Sequence, residues 1–205
     1  MRTMKLFSSV VALMFAVGLW LCESTDAEDS TKQISGSFSG SSVTTGFDFD
    51  HDSSTDQSGD LIAAGNQNGG GAFTLRLVNE LDPVPGTGCG AFPAEGCNID
   101  GVTDGCLFTV VGGAGAFRFD ASGDISTLEI TGGSACINPN SASGVLPPFD
   151  STYTQNWSFK GGSGQFAGTT GSGVVTGKGQ ITVLDQLGHS FSWDNGTYKG
   201  TISKP

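Results

Sequence analysis

Positive charge is scarce in this chain: nine Lys and Arg stand against twenty Asp and Glu, a net charge of −11 over 205 residues. The cations are scattered, and counterion-release binding needs them clustered, so neither nucleic acid nor an anionic membrane surface is an expected partner. Histidine is nearly absent. Only His51 and His189 occur, neither beside a nucleophile in sequence, and no G-x-S-x-G elbow supports a serine triad. No closely spaced C-x-x-C pair offers a zinc site. The glycine-rich run from Gly161 to Gly173 lacks the lysine of a phosphate loop and opens no helix, which removes the nucleotide-binding fingerprints. No cofactor is implied. Helical periodicity is missing after the first residues, and so are long apolar runs.

The one long apolar run supplies an address. Arg2 and Lys5 precede Leu6 to Leu21, 16 almost wholly apolar residues, and Thr25-Asp26-Ala27 then gives a cleavage triplet before Glu28. That order is the order of a secretory signal peptide, and the run falls short of the roughly 20 residues that span a bilayer comfortably. Residues 1–27 are therefore expected to be removed and residues 28–205 to form one secreted domain, extracellular or periplasmic, without a stable membrane anchor. Cys22 follows Leu21 rather than the small residue of a lipoprotein signal, and is expected to leave with the leader. The remaining 178 residues are an ordinary single domain, large enough to bury roughly 70% of its unfolded surface. Four cysteines stay in it: Cys89, Cys97, Cys106 and Cys136. An even number in an exported chain reads as two disulfides, with three connectivities open.

What fills the body is glycine, 33 residues, together with 14 phenylalanines. Glycine, serine and threonine interrupt every apolar run within about ten residues, and the runs between them are short and β-rich. They are Ile34–Phe38, Ser42–Phe49, Ala72–Asn79, Leu107–Val111, Ala116–Asp120, Ile125–Thr131, Thr152–Phe159, Gly173–Val183, His189–Trp193 and Thr197–Ile202. Phe73, Leu75 and Leu77 alternate with Thr74, Arg76 and Val78, and Phe117 and Phe119 alternate with Arg118 and Asp120. Such spacing predicts an all-β sandwich or barrel, and the phenylalanines anchor a packed core. Disorder is expected, if anywhere, in Asp52–Gly71 and Gly86–Asp104.

The run from Trp157 to Gly173 reads as a strand, a glycine turn, a short strand anchored by Phe166, and a second glycine turn. It resembles the GGTGRFAGATG-like signature of secreted bacterial proteins related to the allene oxide cyclase and dirigent barrels. Gly46–Asp52, Gly71–Glu80 and Gly123–Ile125 followed by Cys136 are similar, in order, to other stretches of that family. Gln165 stands where the family usually carries arginine, and Ser163 and Thr169 also depart from it; losing the arginine removes a bidentate anion contact. The resemblance implies a single antiparallel eight-stranded barrel over about residues 34–203, stapled by disulfides. Relatives carry cysteines at the places of Cys89 and Cys136, which implies that pair and leaves Cys97 with Cys106. It also implies a small lumen. The expected function is non-enzymatic binding of a small apolar or aromatic ligand or a surface component, with a cyclase or isomerase as the alternative.

A few residues carry chemistry worth locating. Asp48, Asp50 and Asp52 have the spacing that starts a calcium loop, yet Ser53 and Gly59 occupy the places of its glycine and bidentate glutamate. An oxygen-rich turn could still bind calcium with Asp56 or Asp60 helping, but an acidic, solvated strand end that deters edge pairing explains them more simply. Glu80 would suit a general base if it lined the lumen, where desolvation favours the protonated acid; in solvent it would be an ordinary strand end. Trp157 and Trp193 suit either core packing or stacking on a flat ligand. An inward Tyr153 or a buried carboxylate would favour chemistry in the lumen, and a lumen full of phenylalanine would favour a scaffold or simple binding.

Overall fold

The structure is a computed structural model that describes residues 31–45, 57–84, 97–99, 102–139, 149–184 and 190–205. The expected leader, Cys89, both histidines and the Asp48, Asp50 and Asp52 cluster lie outside these residues.

Period-two alternation makes strands of most of this chain, and the strands are longer than their apolar runs suggested. They are β1 (Lys32–Thr45), β2 (Gln57–Gln67), β3 (Gly71–Pro83), β4 (Cys97–Ile99), β5 (Val102–Phe119), β6 (Ile125–Pro139), β7 (Phe149–Gly162), β8 (Thr170–Leu184) and β9 (Ser190–Ser203). Apart from the short β4, each strand pairs antiparallel with the next, β3 pairs with β5, and β9 returns to β1. The result is a closed, up-and-down barrel of eight strands, the expected architecture. Closure leaves the barrel no free edge. β4 lies outside the ring, paired only to the first residues of β5.

Three expectations change. Asp52–Gly71 contains a full strand, β2, and Gly86–Asp104 contains β4 and the start of β5. Separate runs also fuse, so that Leu107–Val111 and Ala116–Asp120 belong to β5, and His189–Trp193 and Thr197–Ile202 to β9. For β2 the reason is volume: its inward row, Leu61, Ala63, Gly65 and Gln67, has little apolar bulk at Ala63 and Gly65, and Gly65 lies between Phe38 and Phe73 on the neighbouring strands. Thirdly, the stretch between the two glycine turns is a single 3-10 turn, Gly164–Phe166, and not a strand. Gly164 and Gly168 have φ of 55° and 70°, a region that side chains with a Cβ avoid. They let the chain fold Phe166 back into the barrel.

One half of the lumen is packed solid. Phe73, Phe117, Phe119, Trp157, Phe159, Phe166 and Tyr198 are all buried there, among Leu75, Leu128, Ile130 and Val175. Phe73 meets Phe117 edge-on at 4.9 Å, and Phe166 stacks on Phe119 at 4.8 Å, geometries that add to plain area burial. The alternation read from sequence holds: Phe73, Leu75, Leu77, Phe117 and Phe119 are buried, while Thr74, Arg76, Arg118 and Asp120 are exposed.

The disulfide pairing differs from expectation. Cys97 bonds Cys136, so neither Cys89–Cys136 nor Cys97–Cys106 forms. Register explains it. Cys97 on β4 sits opposite Gly105 on β5, and a Cβ at Gly105 would meet the sulfurs of Cys97 and Cys136 at 2.7 and 2.8 Å. The bridge thus crosses β5 over a glycine and ties β4 to β6. Cys106, one residue on, faces the other side beside Phe108 and Ala135, and is itself disulfide-bonded.

Two measurements check this packing. Phe166→Ala should cost about 3–5 kcal/mol in denaturant melts, the usual penalty for emptying an aromatic core site. The neighbouring Gln165→Ala, on an exposed side chain, should cost under about 0.5 kcal/mol; equal midpoints would place Phe166 outside the core. Non-reducing peptide mapping should recover Cys97 linked to Cys136. Replacing both with alanine should cost up to about 4 kcal/mol for a bridge whose ends are 39 residues apart.

Candidate functional site

Space inside the barrel is set by pairs of glycine and aromatic residues directly opposite in register. Gly36 faces Tyr198, Phe38 faces Gly196, Gly65 faces Phe73, and Tyr153 faces Gly177. Each ring lies over its glycine, so a Cβ built at Gly36, Gly65, Gly177 or Gly196 would fall 2.2–2.7 Å from ring atoms of its partner. The glycine surrenders its side-chain volume to the ring across from it.

At the end where β1, β3, β6 and β8 finish, the filling stops. A cavity of about 110 Å³ remains, lined by apolar residues such as Leu61, Leu77, Leu81, Ile137 and Trp157 and by the polar Ser42, Tyr153, Gln155, Ser192 and Asp194. It combines an apolar wall with a few converging polar groups, the composition of small-molecule sites.

Asp194 is the centre of the polar side. Ser42 Oγ donates to its Oδ2 at 2.9 Å and Ser192 Oγ donates to the same oxygen at 3.0 Å, while the two hydroxyls lie 2.6 Å apart. The three form one connected group. The other oxygen, Oδ1, leans over Gly179 with Ser151 Oγ on its far side, each 2.7 Å from where a Cβ of Gly179 would be. Burial raises the Asp194 carboxyl above its ordinary range, against the two serine bonds, which lower it.

Two tyrosines point into the lumen with different outcomes. Tyr198, at the packed end, donates its hydroxyl to Gln67 Oε1 at 2.8 Å. Tyr153, at the cavity, has a buried hydroxyl without a hydrogen-bond partner among the described residues. Burial pushes its phenol up, and the nearby charge of Asp194 adds to that. Trp157 donates its indole N–H to Gln155 Oε1 at 3.2 Å. The Tyr153 hydroxyl belongs to the lining of the cavity.

Glu80 is fully buried, but it lies on the face of β3 opposite to Leu77, Asn79 and Leu81, which line the cavity. It is therefore neither a lumen base nor a solvated strand end. Trp157 is a core residue in the cavity wall, whereas Trp193 is 58% exposed on the outer face, edge-on to Phe191 at 5.6 Å. Tyr153 does point inward, and a buried carboxylate does face it. That carboxylate, with Ser42 and Ser192, went unread in the sequence because Asp194-Asn195-Gly196 has the composition of a hairpin turn. The signal that would have found it is the unbroken alternation of Ser192, Asp194, Gly196, Tyr198, Gly200 and Ile202. The described residues bring no group of three or more His, Cys, Asp or Glu side chains together for a metal ion.

The raised carboxyl of Asp194 has a consequence for stability. Relative to the unfolded chain, with its ordinary value of 3.8, the fold disfavours the ionised form. The contribution of Asp194 is fully present below that value and is lost as pH rises through the higher folded one. Asp194→Asn cannot ionise, so its urea midpoint relative to the parent should move upward between about pH 3.5 and about pH 7. A difference that stays flat over this range would show that the carboxyl is not desolvated.

Compared with protein-family models, with curated proteins and with solved structures, the chain gave no match, and the functional reading stands on the geometry of the lumen and on its sequence.

Proposed function

We propose that this is a secreted binding barrel that holds a small, largely apolar molecule in the cavity beside Asp194 and Tyr153. One observation carries the reading: the lumen is packed with rings at one end, yet keeps at the other an apolar-walled cavity into which an unpartnered hydroxyl points. A scaffold has no reason to leave that space. An apolar site of about 150 Å³ takes up benzene, so a cavity of about 110 Å³ suits a single ring or a short chain, with larger parts reaching toward the mouth. The resemblance to the allene oxide cyclase and dirigent barrels supports the same reading, and the disulfide accords with export. Neither nucleic acid nor a cofactor belongs to it.

The second reading, a cyclase or isomerase that orients a reactive intermediate, is favoured by the carboxyl and phenol facing one cavity. Mass spectrometry of small molecules recovered with the protein from its native host separates the two. A binding barrel should release the same compound from the parent and from Asp194→Ala, with less from the variant. An enzyme should release a precursor from the variant and its product from the parent. Recovery of no compound at all, from several preparations, would count against both.

A further inference from the structure

Resting on the reading that the cavity holds a small molecule, we propose that this molecule carries a hydroxyl group, whose oxygen accepts a hydrogen bond from Tyr153 and whose hydrogen is donated to Asp194. The two side chains come from β7 and β9, on either side of β8. Between them β8 carries Gly177, covered by the Tyr153 ring, and Gly179, covered by Asp194 Oδ1 and Ser151 Oγ. Both polar groups line the same cavity, and a ligand atom meeting both would sit in that cavity.

The chemistry of the two groups selects the ligand atom. A phenol hydroxyl without a partner needs an acceptor, since leaving it unpaired costs the desolvation of a buried donor. The carboxylate takes only donors, and its Oδ2 already holds Ser42 and Ser192, which leaves Oδ1, above Gly179, for the ligand. A ketone or ether accepts from Tyr153 but gives Asp194 nothing. An ammonium group donates to Asp194 but has no lone pair for Tyr153. A hydroxyl does both from one atom. The apolar wall of Leu61, Leu77, Leu81 and Ile137 then takes the hydrocarbon part.

Cyclohexanol, cyclohexanone and cyclohexane test this, being close in shape and of single-ring size. Trp157 in the cavity wall reports their binding by fluorescence, read in a Trp193→Phe background. Cyclohexanol should bind about tenfold tighter than either of the others. Tyr153→Phe and Asp194→Asn should each remove most of that advantage while leaving cyclohexane binding unchanged. Tyr153→Phe without ligand should be at least as stable as the parent, because it deletes an unpaired hydroxyl and keeps the ring over Gly177; a clear loss of stability would mean that the hydroxyl has a partner within the protein, and would overturn the proposal. Equal binding of all three probes, or of cyclohexanol and cyclohexanone, would overturn the hydroxyl assignment and leave the lumen reading standing. Binding of none would overturn both.

Discussion

Everything in this barrel depends on filling an interior of fixed width. Eight strands enclose a space just wide enough for side chains to fill, and a row of phenylalanines on every strand would overfill it. The chain resolves the conflict strand by strand, setting a glycine opposite each of four inward rings, Phe38, Phe73, Tyr153 and Tyr198. Glycine weakens a strand by itself, through backbone entropy and lost packing. Here the ring from the neighbouring strand covers the exposed backbone and recovers the contact. Glycine at these four positions is thus a packing device, and it lets large rings share one core.

The same device explains why the cavity sits where it does. Along β8 the inward positions are Gly171, Gly173, Val175, Gly177, Gly179 and Ile181. At the packed end the Phe159 ring reaches the room beside Gly173. Past Tyr153 the next inward groups are Ser151 and Asp194, short and polar, and they rather than a ring cover Gly179. Short side chains fill less of the interior than rings do, and a cavity results. Ring packing and open space are therefore divided along the barrel axis. The ring-filled half carries the core, and the half beyond Tyr153 is free to keep groups that a core would not tolerate.

Much of this was legible in the sequence, and the failures share one cause. Phe73, Leu75 and Leu77 announced their strand because their inward residues are large. β2 did not, since Ala63 and Gly65 face inward with little apolar volume and the apolar signal is carried by their partners. The breaks expected inside β5 and β9 fell on glycine-rich stretches near Gly113 and Gly196, where local composition speaks for turns and tertiary pairing overrides it. A Cβ at Gly196 would meet the Phe38 ring at 2.4 Å, a requirement set by a residue more than a hundred positions away. Asp194 was hidden by the same misreading. The disulfide was hidden because connectivity follows register, and register places Cys97 over Gly105.

The polar groups at the cavity then acquire a meaning that their sequence neighbourhood could not supply. A buried carboxylate and a buried hydroxyl cost free energy unless each is paired. Tyr198 shows that the chain can pair an inward phenol when nothing else is required of it, by placing Gln67 within 2.8 Å. No comparable partner stands beside Tyr153, although Gln155 is two positions away on the same face of β7. Its Oε1 is instead committed to the indole of Trp157. The cavity end departs from the packing rule that the rest of the barrel obeys, with space left open and a donor left unused at the same place. Such coincident departures are what the proposed binding site requires, because a ligand there would supply both the missing volume and the missing acceptor.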